Sequence, residues 1–393
     1  MSSTTLMTPI RFRNVELRNR IVVSPMCMYS AEGGMADDLH LVHLGRFALG
    51  GAGLVFVEAT AVSAQGRITP GCLGLWCDEQ IAPLKRIVDF VHRFGAAVGI
   101  QLSHSGDKGA SRRPWDGGGA LGASESPQGG QSGWATVGVS SSKFGESGAE
   151  PLTENDLQKI VSEFVASARR ADAAGFDVLE LHCAHGYLLH SFLSPLSNDR
   201  ADQYGGSLDN RMRFPLQVIE AVREVWPAGK PLFVRISSVD GVDTGWTADD
   251  SVTFSAELRK RGVDAVDCSS GGMTLPRDKQ LVGRTPGYHV PYARRIREEV
   301  GVPTIAVGLI RDPSHAQEVL EEGSADLIAI AREALFNPNW ANHAALYEQG
   351  DGGWDAWIEQ HGWWLKRRAK QQGESFGHLG TAARYPSSEW LKP

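Results

Sequence analysis

The chain of 393 residues is 42% apolar and 22% charged, with a formal net charge of −7. Those proportions suit a globular protein with a small-molecule partner, and the negative balance offers nucleic acid no general attraction. No apolar run long enough to span a membrane is present, and the N-terminal MSSTTLMTPIRFRNVELRNR lacks the apolar stretch of a secretory signal. The five cysteines are odd in number and without zinc-type spacing, which points to reduced thiols in a cytoplasm.

From the N-terminus, short apolar runs alternate with helical patterns. IVVSPM (21–26) and GLVFVEAT (53–60) come first, followed by DEQIAPLKRIVDFVHRFG. In the latter, Ile81, Leu84, Ile87, Val88 and Val91 recur on one helical face. AVGIQLSH (97–104) then leads into residues 105–152, a long connection rich in Gly and Ser that reads as a lid or as disorder. TENDLQKIVSEFVASARRADAAG opens with Thr153 as a helix cap, has Asp156 three residues on and stops at Gly175. VLELHCAHG (178–186) follows, with SLDNRMRFPLQVIEAVREVW, PLFVRISS (231–238) and TADDSVTFSAELRKRG behind it. The series continues through AVDCSSGG (265–272), PTIAVGLI (303–310), DPSHAQEVLEEGS and LIAIAREA (327–334). Nearly continuous Val, Ile and Leu suits strands buried on both faces of a parallel sheet.

Eight strand–helix units predict an α/β fold of the (β/α)8 TIM-barrel type. A doubly wound open sheet is the alternative; the lack of a linker between halves favours the barrel. Residues 1–350 form that unit. Residues 351–393, with five tryptophans and the basic Lys366, Arg367 and Arg368, read as a helical extension packed on the barrel or on a neighbouring subunit.

Barrels place their chemistry at the C-terminal ends of the strands. Those ends carry Pro25, Met26, Cys27 and Tyr29; Ala59; Gln101 and His104; His182, His185 and Tyr187; Arg235; Gly308; and Ala331 with Arg332. No carboxylate pair spaced for glycoside chemistry and no GxSxG elbow is present. His182 and His185 lack the Glu of HExxH and a third ligand, so no metal is expected; a metal-dependent barrel hydrolase remains the rival from another class. An amide at Gln101, a guanidinium at Arg235, a thiol at Cys27 and backbone N–H groups near Gly308 and Arg332 suit a planar redox ring with a phosphate. Flavin mononucleotide (FMN) meets that description.

The motifs RNRIVVSPMCMYSAEGG, GGAGLVFVEATAVSAQGRITPGCLGLW, HSGDKGASRRPW and ELHCAHGYLLHSFLSPLSNDRADQYGGSLDNRMRF carry a resemblance that covers roughly residues 8–345. The chain resembles the Old Yellow Enzyme family of FMN-dependent ene-reductases, especially its xenobiotic-reductase and thermostable-type subclass. The resemblance implies hydride transfer from NADPH or NADH through FMN to the activated C=C bond of α,β-unsaturated carbonyls, maleimides or nitro compounds. It implies that Pro25, Met26, Cys27, Ala59, Gln101, Arg235, Gly308, Ala331 and Arg332 contact the flavin. His182 and His185 would bind the substrate oxygen, Tyr187 would donate the proton, Tyr29 would line the pocket, and Cys27 would touch both flavin and substrate. A homo-oligomer, dimer or tetramer, is implied as well. The chain departs from the family at Asp107, where an arginine is usual, and at Ala331, where glycine is common. The short C-terminal motif that carries an arginine into a neighbouring pocket is not evident; Arg384 is the candidate substitute.

Overall fold

Eight parallel strands close into a barrel in the computed structural model, which describes residues 5–122, 132–140, 149–273 and 282–373. They are β1 (Ile21–Val23), β2 (Leu54–Ala61), β3 (Ala97–Ser103), β4 (Val178–Cys183), β5 (Leu232–Ser237), β6 (Ala265–Ser269), β7 (Thr304–Ala306) and β8 (Leu327–Ile330). Each pairs with the next in chain order, and Ala329 of β8 pairs with Val22 of β1. That last pairing separates a barrel from an open sheet. Helices that include Asp38–Leu49, Ile81–Arg93, Glu154–Ala174, Leu208–Val225, Ala248–Lys260, Val290–Val300 and Pro313–Glu321 follow the strands. Their apolar faces share one core with the outward residues Leu179, Leu181, Val234 and Ile236. Thr153 caps its helix as the sequence implied: its hydroxyl accepts from the Asp156 N–H, and Gly175 ends the helix at φ +92°.

Alternation along the strands builds the interior in layers. Leu54, Phe56, Val178, Phe233, Ala265, Ile305 and Leu327 form an apolar floor. An antiparallel hairpin, Ile10–Phe12 with Val15–Leu17, closes it from below, and Phe12 meets Phe233 edge-on at 5.1 Å. Truncating Phe233 to Ala would cost about 3–5 kcal/mol from this floor. Two residues further along β3 to β6 the inward positions become Gln101, Glu180, Arg235 and Asp267. Two further on they are Ser103, His182, Ser237 and Ser269. The interior thus turns from oil to polar groups toward the C-terminal mouth.

Several runs leave the ladder earlier than their composition implies. IVVSPM is strand only to Val23, because Pro25 has no N–H to give. PTIAVGLI is strand only to Ala306, and Gly308 and Leu309 then take φ of +119° and +52°. VLELHCAHG ends at Cys183 and turns. Beyond the barrel, Trp354 and Trp357 pack with Leu346 and Ala369 and seat the helix Glu359–Gln372, while Trp363 and Trp364 are exposed. Arg384, and residues 123–131 and 141–148 of the long connection, lie outside the described residues. Among the described residues no helix is long and apolar enough to cross a membrane.

Candidate active site

β4 delivers His182 into the mouth, and the chain then turns through His185 and Gly186 at φ of +62° and +74°. A left-handed histidine is uncommon and needs outside support. The Lys108 ammonium donates to the carbonyls of His185 and Gly272, each at 2.8 Å. The His185 N–H donates to Ser237 Oγ at 2.9 Å, and the Gly186 N–H to His190 Nδ1 at 2.8 Å. His190 Nε2 in turn lies 3.2 Å from Asp240 Oδ1, with both side chains fully buried. Gly272, at φ +100°, presses so close that a Cβ there would stand 2.0 Å from His185 Cα.

This turn sets the two imidazoles edge to face, ring centres 5.1 Å apart and His185 Nδ1 3.4 Å from His182 Nε2. His182 Nδ1 accepts the Ala184 N–H at 3.2 Å, so its own proton sits on Nε2. Burial, with the nearby Arg235 charge, holds both rings well below the usual imidazole range, and they are neutral. Tyr187 stands edge-on to His182 at 5.0 Å, with the Lys108 ammonium 5.3 Å from its ring. Burial raises its phenol above the ordinary tyrosine range, so it stays protonated at neutral pH. Two neutral imidazoles and one phenol therefore meet at one strand end.

Below them lies a strip of four buried polar side chains. Gln101 Nε2 donates to Glu180 Oε1 at 2.8 Å, and Arg235 Nε lies 3.4 Å from Asp267 Oδ2. Burial, then repulsion by Asp267, pushes the Glu180 carboxyl up; burial also raises Asp267, with Arg235 opposing. With a proton retained on Glu180, Arg235 is balanced by a single carboxylate.

The run leaving β1 forms one wall. The ladder between β2 and β3 slips between Val57 and Ala59, which leaves Glu58 outside it. Its Oε2 accepts the Met28 N–H at 2.9 Å, and its Oε1 faces His40 Nε2 at 3.3 Å. His40 Nδ1 lies 2.6 Å from Asp37, the cap of its own helix. Burial works against charge on His40, but Glu58 and Asp37 outweigh it and raise its pKa. This chain anchors the backbone that brings Cys27 and Tyr29 to the mouth, with Tyr29 at φ +50°. The Tyr29 ring lies 5.9 Å from the exposed Trp115 of the connection after β3. Burial, then Glu58, pushes the Cys27 thiol well up, so it is a thiol rather than a nucleophilic thiolate. Met26 packs against the main core.

Gly308 and Arg332 follow the adjacent strands β7 and β8, the usual place for a phosphate in a barrel. A Cβ on Gly308 would meet His289 Nδ1 and the Tyr288 ring at 3.0 Å, so bare backbone is presented there. Ala331 caps the short helix Arg332–Phe336 without a side-chain bond, and the Arg332 side chain is exposed. Buried Ser24 Oγ has no hydrogen-bond partner among the described residues, and Arg235 Nε has only its ion pair with Asp267. Buried polar atoms short of hydrogen bonds around a mouth of this composition fit a polar ring such as FMN, which would complete them.

The residues singled out from sequence thus fall in one place: the β1 exit, Ala59 paired with Gln101, the β4 turn, Arg235, and the ends of β7 and β8. Glu180 and Asp267 were missed, although each lies two residues before a mouth residue on its own strand. Lys108, Asp240 and Ser269 were also missed, and Glu58 was given no role, although Lys108 and Glu58 both stand in motifs already noted.

Known proteins agree with this architecture. The family model described as the NADH:flavin oxidoreductase / NADH oxidase family matches residues 5–348. An NADPH dehydrogenase of Geobacillus thermodenitrificans is 46% identical over 352 residues, covering 88% of this chain and 95% of that protein. One from Bacillus subtilis is 42% identical over 344 residues, covering 86% of this chain and 94% of that protein. Among solved structures, morphinone reductase superposes with a TM-score of 0.70 at 26% identity, covering 88% of this chain and 90% of the other. A 2-naphthoyl-CoA reductase complex reaches 0.74 at 22% identity; the match covers 86% of this chain and 51% of that protein, and the likeness is one of fold alone.

Proposed function

The chain belongs to the NADH:flavin oxidoreductase / NADH oxidase family, and on that premise we propose that this FMN-dependent NAD(P)H oxidoreductase reduces the activated C=C bond of α,β-unsaturated carbonyls, maleimides or nitro compounds. The observation that carries the reading is the meeting of two neutral imidazoles and a protonated phenol just beyond the Gln101–Arg235 strip. When bound, FMN would supply the redox chemistry that relays hydride from NADPH to the activated alkene. Pro25, Met26, Cys27, Ala59, Gln101, Arg235, Gly308, Ala331 and Arg332 would hold it. Gln101 is oriented for that task by Glu180, and Arg235 is held beside Asp267.

His182 and His185 donate hydrogen bonds to the substrate oxygen, where negative charge grows as the β-carbon is reduced. Donors fixed in advance are worth a few kcal/mol of barrier. Tyr187 gives its phenolic proton to the α-carbon, a step that contributes on the order of 10²–10⁴-fold. Tyr29 lines the pocket, and Cys27 touches substrate without a covalent bond. The test is direct. The purified protein is expected to be yellow and to oxidise NADPH faster when cyclohexenone is added. NADPH oxidation indifferent to every activated alkene tried would remove the reading.

A further inference from the structure

We propose that Ser269 sets the tautomer of His185, and so decides whether the two imidazoles can hold one oxygen between them. The proposal rests on the oxygen-binding role given to the pair above. Both rings are neutral, so each carries a single N–H. The Ala184 N–H occupies His182 Nδ1, which leaves the His182 proton on Nε2, facing His185 Nδ1 across 3.4 Å. Two donors converge on one oxygen only if His185 carries its proton on Nδ1. Its Nε2 must then accept a hydrogen bond, and the group within reach is the Ser269 hydroxyl at 2.7 Å.

Ser269 ends β6 and is 5% exposed, so bulk water is poorly placed to take over. A hydroxyl is suited to the task because it can donate or accept. When no oxygen lies between the rings, His182 Nε2–H can donate to His185 Nδ1, and His185 Nε2–H to Ser269. When an oxygen enters, the hydroxyl rotates and donates instead. While the mouth is open, solvent takes the proton from His185 Nε2 and returns one to Nδ1, so the ring remains neutral. A carboxylate at position 269 could only accept, and would hold the proton on the wrong nitrogen. Ser269 is thus a positioning residue acting through His185.

The experiment uses FMN-loaded wild type, Ser269→Ala and Ser269→Thr, titrated with 4-hydroxybenzaldehyde and read by the phenolate–flavin charge-transfer band. Ala should weaken binding about tenfold, and Thr, which keeps the hydroxyl, should restore it. In parallel, ¹⁵N-histidine spectra of the wild-type phenol complex should show His185 protonated on Nδ1, its signal assigned by its absence in His185→Asn. A proton on His185 Nε2 in that complex, or equal affinity in wild type and Ser269→Ala, would overturn the proposal. Failure of wild type to form the band at all would instead overturn the oxygen-binding reading, and the proposal with it.

Discussion

Replacing Tyr187 with Phe removes one oxygen and leaves the ring where it is. The ring keeps its edge contact with His182 at 5.0 Å and its place 5.3 Å from the Lys108 ammonium. Stability should therefore change by no more than about 0.5 kcal/mol. If the phenol delivers the proton, its loss raises the barrier to alkene reduction by about 3–5 kcal/mol, or roughly 10²–10⁴-fold. Anaerobic stopped-flow separates the two half-reactions. Reduction of the flavin by NADPH requires no proton at carbon and should change little, whereas reoxidation by cyclohexenone should slow by the full factor. An acceptor that needs no carbon protonation, such as a quinone, should reoxidise both proteins alike. Equal losses in both half-reactions, or none in either, would rule out Tyr187 as the proton donor. Because burial holds the phenol above its usual range, this group should not limit the wild-type reoxidation rate between about pH 6 and 9.

The supporting structure makes further predictions. Gly272→Ala forces a Cβ to within 2.0 Å of His185 Cα at φ +100°; with backbone on both sides it should cost roughly 3 kcal/mol, read as a lowered urea midpoint. Asp240 accepts from Ser194 at 2.6 Å and the Trp246 N–H at 2.7 Å, and faces His190. Burial disfavours its charge, but His190 and these donors prevail and its pKa is lowered. Its contribution is therefore complete above the unfolded pKa of about 4 and is lost as pH falls through the lower folded value. Asp240→Asn should cost about 3 kcal/mol at neutral pH and flatten the acid limb of stability against pH. Glu180→Gln should cost no more than about 1 kcal/mol, since the carboxyl it replaces is already protonated, whereas Asp267→Asn strips Arg235 of its counter-charge and should cost about 3 kcal/mol. Equal losses in these two variants would place the buried proton elsewhere.

How far the sequence could be read depended on whether a relation was local or long-range. The barrel was legible because each strand is a nearly unbroken apolar run and each helix carries a stripe and a cap, as at Thr153. Gln101, Arg235, His182, His185 and Tyr187 were legible because they break such runs with polar groups at strand ends. The early ends of the strands were not, since apolar composition continues through Pro25 and Gly308 where the backbone cannot. Glu180 and Asp267 could have been found by stepping back two residues from His182 and Ser269, as strand alternation requires. Lys108 and Ser269 could not have been paired with His185. They lie 77 and 84 residues from it in the chain, and only closure of the barrel brings the three together. The left-handed backbone at His185 and Tyr29 has no signature in side-chain pattern, because Lys108, Ser237 and Glu58 supply the support from other loops and strands.

Delivery of hydride and proton to an activated alkene from one barrel mouth can be measured most directly by stopped-flow reoxidation of the NADPH-reduced, FMN-loaded protein against enones, maleimides and nitroalkenes. Saturable reoxidation well above the rate with buffer alone is expected, with the saturated product recovered in proportion to flavin reoxidised. Reoxidation no faster with any of these alkenes than with buffer alone, or without saturated product, would contradict that delivery.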